Sequence, residues 1–246
     1  MTFAELVKEV ARLGHFNIRG QAAGDETYDA VTDMVRSGLT RIQRLGAWPW
    51  LLTTQSDTLV AAQRAYPLPD DLFQFEVESF NVTITSADRG RSLRWGSVLQ
   101  VDRRLKGAHW RLGSGQTGTP QYVVRVGNEL WLAPPPSEDV VDSVSRLDYL
   151  YYRNEPTSGP LLLPDALRAA AVHASLAEGL KEKDDTDQAY YETLFATVDM
   201  PDLMSAATAI GEHAQVGTSP IAEVTRYRGW RNYPYYDTER YYYDEY

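Results

Sequence analysis

The sequence predicts an α+β fold: an antiparallel helical bundle built from both chain ends, an inserted antiparallel β domain, and an extended C-terminal tail. Three observations carry this. Apolar residues recur at helical spacing up to Leu45 and again from Pro164 onward. Between them, from Trp48 to about Tyr152, the period is that of strands and turns. From Glu212 the helical period is lost, and the chain closes on RYRGWRNYPYYDTERYYYDEY, which holds eight of its sixteen tyrosines. The expected parts are 1–47 and 157–211 as the two halves of the bundle, 48–156 as the β insertion, and 212–246 as the tail.

Each element has a local reason. Thr2 and Glu5 form a T-x-x-E capping box ahead of Phe3, Leu6, Val7 and Val10, and Gly14 is a natural stop. Asp25 can cap a second helix with a stripe of Tyr28, Val31, Val35, Leu39 and Ile42, closed by Gly46. Two helices over 3–13 and 26–45 result. Residues 52–60 and 64–68 read as a hairpin. In residues 75–85, Phe75 and Val77 fall on odd positions but Phe80, Val82 and Ile84 on even ones, which predicts a bulge near Glu78–Ser79. Residues 97–106 have a short helical look. YVVRV, Gly127–Asn128 and ELWLA form a second hairpin stopped by Pro134–Pro136, and 144–153 is a last strand. Pro164 and Asp165 suit the start of an alanine-rich helix that permits close helix–helix approach. Asp184 or Asp185 can cap the next helix, with Tyr190, Leu194 and Val198 on one face. Pro201 interrupts it, and a short helix through Leu203, Ala207 and Ile210 ends at Gly211.

Composition narrows the function classes. At 43% hydrophobic, the 246-residue chain can bury a sizeable core. Its net charge of −10 argues against a protein that grips nucleic acid through phosphates. There are no cysteines, so disulfides, thiolate chemistry and cysteine zinc sites are excluded. The N-terminus lacks the pattern of a signal peptide, and no apolar run reaches membrane-spanning length.

No catalytic, cofactor or metal site stands out. Gly113, Gly115 and Gly118 spell G-x-G-x-x-G, but Pro120 and a strand follow where a dinucleotide site needs a helix. His15, His109, His173 and His213 are scattered, with no i, i+4 pair for a metal. Carboxylates at Asp70–Asp71 and at Asp184, Asp185 and Asp187 suit loop ends and caps.

An ordered series of motifs is more telling. AWPWLLTT follows the second helix, then RAYPLPDDL, GTPQYVVRVGNELWLAPPPSED, YLYYRNEP and LLLPDALRAAAVHASL. In that order, within an α-β-α frame over residues 1–210, the series resembles the head-to-tail adaptor proteins of tailed bacteriophages, especially the tail tubular protein A type. The resemblance implies a structural virion protein with no catalysis. It implies a homo-oligomeric ring, commonly a 12-mer, between the portal protein and the tail nozzle at the head–tail junction, with DNA passing through without specific binding. It places Trp48, Pro49 and Trp50 at a hinge, Tyr66, Pro67, Leu68 and Pro69 at a hairpin exit, and Pro120, Tyr122 and Trp131 in the second hairpin. An acidic ring suits a channel that must not arrest DNA; the loops 15–24 and 107–119 are candidates to line it.

The resemblance stops before the tail. Ordering its last twenty-one residues costs roughly 1–2 kcal/mol each, and burying their aromatic rings returns about 1.5–3 kcal/mol each, so the tail does not fold alone. Its composition is that of interface hot spots. Arg226, Tyr227, Arg228, Trp230, Arg231, Tyr233, Tyr235, Tyr236, Tyr241, Tyr242, Tyr243 and Tyr246 are the candidate residues of an arm that docks on the portal or a neighbouring subunit. An alternative is a carbohydrate-binding or glycan-hydrolysing tail protein that stacks sugars on Trp95, Trp110 and Trp131 of the β region.

Overall fold

The structure, a computed structural model, describes residues 1–84, 90–105, 117–181 and 186–214. Helix α1 (Phe3–Leu13) begins at the expected capping box: the Thr2 side chain accepts the Glu5 N–H, and the Glu5 carboxylate accepts the Thr2 N–H at 2.7 Å. Helix α2 (Glu26–Leu45) follows Asp25, whose carboxylate accepts the Ala22 N–H at 2.7 Å instead of capping the helix. The left-handed residue after α1 is His15, at φ 57°, rather than Gly14.

The helices have one core. Phe3, Leu6, Val7 and Val10 of α1 and Val31, Val35, Leu39 and Ile42 of α2 are buried with Ala170, Ala171, Val172, Ala174 and Leu176 of α4 (Arg168–Gly179). Elements from both ends of the chain thus cover the same apolar surface. Where α2 meets α4, a Cβ on Gly38 would lie 2.5 Å from the Ser175 backbone N, so side-chain size sets the approach there.

The β region packs two sheets face to face. In the first, β1 (Leu52–Thr58) and β9 (Arg146–Arg153) pair antiparallel along their length, and the other edge of β9 carries both β3 (Leu72–Phe75) and β4 (Asn81–Thr83), with β5 (Arg91–Ser92) beyond. The second runs β2 (Ala65–Pro67), β8 (Glu129–Ala133), β7 (Tyr122–Val126), β6 (Arg94–Trp95), and α3 (Val98–Arg104) lies on its outer face through Val101, Val124 and Ala133. Between the sheets lies a second core of Phe75, Phe80, Val82, Leu93, Val123, Leu130, Leu132, Leu147, Tyr149 and Tyr151.

Several local expectations change. Residues 52–60 and 64–68 are not a hairpin: β1 joins β9 in one sheet and β2 joins β8 in the other. Tyr66, Pro67, Leu68 and Pro69 therefore leave a strand crossing between sheets. The phase shift in 75–85 is real but wider than a bulge. A turn splits it into β3 and β4, pinned where Ser79 Oγ accepts the Leu150 N–H at 2.7 Å and donates to the Glu76 carbonyl at 2.6 Å; Val77 is exposed in that turn. The hairpin β7–β8 forms as read, with Gly127 at φ 59° at the first turn position.

The last helical run also differs. Helix α5 (Thr186–Leu194) passes through a π-helical turn, Phe195–Asp199, into α6 (Met200–Ala214), so the chain stays helical through Pro201 and past Gly211. The wide turn leaves room for the proline ring at the start of α6. Tyr190 and Val198 face outward at 59% and 50% exposure, while Phe195 and Leu203 are buried. The caps proposed at Asp184 and Asp185 lie outside the described residues.

Candidate assembly surface

The junction between helices and sheets is built around the Trp-Pro-Trp segment. Four carbonyls at the end of α2 lack helical partners. The indole Nε1–H of Trp48, fully buried, donates to one of them, the Ile42 carbonyl. Trp50 stacks on Trp48 with ring centroids 5.0 Å apart, and Pro49–Leu51 makes a single 3₁₀ turn that delivers the chain into β1. The hinge position implied by the resemblance is thus a packed corner.

A second junction ties three helices. The Arg41 guanidinium on α2 makes a bidentate pair with Glu192 on α5, reaches Glu178 on α4 at 3.2 Å, and lies 4.5 Å over the Phe195 ring. The hydrogen bond from Arg41 holds the Glu192 carboxyl below the usual carboxylate range, and its counterpart raises Arg41. Beside it, His173 Nδ1 and the Asp199 carboxylate lie 2.8 Å apart, at the end of the π-helical turn. Burial pushes the Asp199 carboxyl up, opposed by the hydrogen bond to His173. His173 is therefore a packing residue paired across helices.

Along α2, Tyr28, Thr32, Arg36, Thr40 and Gln43 recur on one face and form the floor of a groove. Its far wall is the segment 153–159 that leaves β9. Two hollows of about 510 Å³ each make it up, and they meet at Arg36 and Thr157. Five carboxylates line it (Asp29, Asp33, Asp70, Asp71 and Glu155) against Arg36 and Arg153. Tyr151 donates to Asp71 at 2.8 Å; burial and this bond push its phenol up to about 12. Glu155, buried, accepts the Leu162 N–H at 2.8 Å, and burial pushes its carboxyl up. No sequence motif announces this groove. The only sign is two polar residues, Thr32 and Gln43, on the buried stripe of α2.

The three tryptophans of the alternative do not form a platform. Trp95 packs into the core between the sheets, 5.2 Å from Phe80 and 5.4 Å from Phe75. Trp131 lies on the opposite face of its sheet, its ring covered by the Arg64 guanidinium at 3.9 Å. Trp110 lies outside the described residues. So do His109, Gly113 and Gly115, most of the candidate channel loop 107–119, and the whole stretch Arg226–Tyr246 that holds the candidate arm. Gly118 bridges to Pro136 beside the second hairpin, in which Tyr122 pairs with Ala133 and Trp131 with Val124. Among the described residues no group of three or more His, Asp or Glu could hold a metal ion, and no helix is long and apolar enough to cross a membrane.

The family model described as SU10 adaptor protein matches residues 1–210, from α1 into α6. The chain belongs to the SU10 adaptor protein family. Among curated proteins none matches it. The adaptor is accordingly a phage structural protein, and the family is one of structural adaptors, not enzymes. Its functional surfaces are those that meet other virion proteins and further copies of itself. The match ends at residue 210, ahead of the Tyr- and Arg-rich segment 226–246, and assigns that segment no role.

Proposed function

We propose that the adaptor forms a ring at the head–tail junction, joins the portal protein to the tail nozzle and surrounds the channel through which DNA passes, and that its C-terminal arm, the Tyr- and Arg-rich segment 226–246, docks on a neighbouring component. The observation that carries this reading is the family match over residues 1–210 beside an arm of hot-spot composition. The net charge of −10 per copy supports it, since many acidic copies around one channel repel phosphates instead of holding them.

The test is to mix the chain with the portal protein and weigh the product. A stoichiometric complex with many adaptor copies is expected, and deletion of residues 217–246 should leave a folded protein that joins weakly. A truncated chain that joins with unchanged affinity refutes the arm's role; failure of the full chain to form any portal complex refutes the adaptor reading at this junction.

A further inference from the structure

The groove along α2 has features that its own fold does not use. Thr32 Oγ1 in one hollow, and Gln43 Nε2, Arg153 Nε and Glu155 Oε1 in the other, make no hydrogen bond. Thr32 and Gln43 are only 8% and 5% exposed. A buried donor or acceptor left unpaired costs roughly 1–3 kcal/mol, so four among the residues of one groove favour an occupant that brings amide groups. The distance matters as well. From Tyr28 to Gln43 the helix rises about 22 Å at 1.5 Å per residue, which an extended peptide covers in about seven residues at 3.3 Å each. The unpaired atoms on α2, at Thr32 and Gln43, are eleven residues or about 16 Å apart, which fits a length of polypeptide better than a small molecule.

We infer that the groove between α2 and the segment 153–159 receives the first half of the C-terminal arm, Arg226–Tyr233, from a second copy of the chain. The charge selects the segment. The lining has five carboxylates against two arginines; the sequence RYRGWRNY has three arginines and no carboxylate, whereas the arm's second half carries Asp237, Glu239, Asp244 and Glu245 against Arg240. These atoms are closed to solvent, so the Thr32, Gln43 and Arg153 side chains would rotate toward the groove on docking, where the arm's carbonyls would accept from Gln43 and Arg153 and its amides would donate to Thr32. The eleven residues from 215 to 225 give the arm a reach of up to about 36–40 Å when extended. That the arm comes from a second copy rests on the ring reading above.

The chain has no cysteines, which makes the test clean. A full-length Thr40→Cys variant places a thiol in the groove, and a Leu99→Cys variant places one on exposed α3 as the comparison. Each is incubated with a synthetic peptide of residues 224–235 carrying Asn232→Cys, under mild oxidation. The expected result is disulfide trapping about tenfold faster at position 40 than at position 99, slowed by salt and by Asp70→Asn. Binding of the fluorescently labelled natural peptide to the unmodified chain gives a second readout that needs no variant to fold; a peptide of the same residues in scrambled order should bind at least about fivefold more weakly. Equal trapping at the two positions, or equal binding of the scrambled peptide, overturns the inference. Ring formation is scored separately on the unmodified chain with portal: a ring without trapping overturns the inference alone, and trapping without a ring overturns the ring reading alone.

Discussion

Tyr151 and Tyr152, adjacent on β9, are buried in two different cores. Tyr151 enters the aromatic cluster between the sheets and donates to Asp71, while Tyr152 enters the cluster shared by the helices and donates to Glu76 at 3.3 Å. Alternation along a strand sends neighbouring side chains to opposite faces, so β9 is a wall that both cores press upon. Replacing either tyrosine by alanine removes a large buried ring, at a cost of about 3–5 kcal/mol. Because the wall is common, both variants should lower the same calorimetric transition. A variant that splits the melt into two peaks would show that the cores are independent.

Gly38→Ala tests the helix crossing. In an isolated helix the change is favourable by about 1 kcal/mol. Here the new Cβ would meet the Ser175 backbone N at 2.5 Å, and backbone cannot rotate away. Overpacking of this kind costs about 1–3 kcal/mol, so a net loss of stability in a urea melt is expected. Ser175→Gly should not fully rescue it: it removes the Oγ, which also lies at 2.5 Å, but leaves the Ser175 backbone N and Cα at 2.5 and 2.6 Å.

The Arg41–Glu192 pair should be measurable by a double-mutant cycle with Arg41→Gln and Glu192→Gln. The Glu192 side chain is 40% exposed and partly screened, which tempers the interaction, but the bidentate geometry and the Phe195 ring beneath support a coupling of about 0.5–1.5 kcal/mol. The coupling should shrink in high salt. A value indistinguishable from zero at low salt would mean that apolar contact alone holds α5 against α2.

Glu155 predicts a pH dependence. Burial raises its folded pKa above the ordinary 4.5, so the folded state binds this proton more tightly than the unfolded chain does. The stability it contributes is fully present below 4.5 and is lost as pH rises through the raised folded value. Glu155→Gln keeps an acceptor for the Leu162 N–H and removes the charge. The variant should therefore gain on the natural protein at neutral pH and converge with it below pH 4.5 in denaturant melts. A gain that does not change with pH would assign the effect to packing.

These elements differ in how far a sequence can announce them. Helices α1 and α2 lie within the limits their apolar stripes and flanking signals set, because helical contacts are local and three or four residues apart. The hairpin β7–β8 is legible for the same reason, its pairing closed by Gly127–Asn128. The pairing of β1 with β9 joins Leu52 to Tyr152 across the whole β region, and nothing near Leu52 names that partner. The reading of Tyr190, Leu194 and Val198 as a face assumed an unbroken helical period, which the turn at Phe195–Asp199 shifts. The groove brings together residues from Phe3 to Leu162. In the sequence it shows only as Thr32 and Gln43 intruding on an apolar stripe.

The π-helical turn at Phe195–Asp199 has a geometric consequence beyond making room for Pro201. A π turn takes one residue more than an α turn, and each residue of an α-helix advances the chain by about 100° about the axis. Deleting one residue from 195–199 would restore the ordinary winding and swing everything after Met200 through about that angle. A single extra residue thus acts as an azimuth setting: it fixes the compass bearing of α6 down to its end at Ala214.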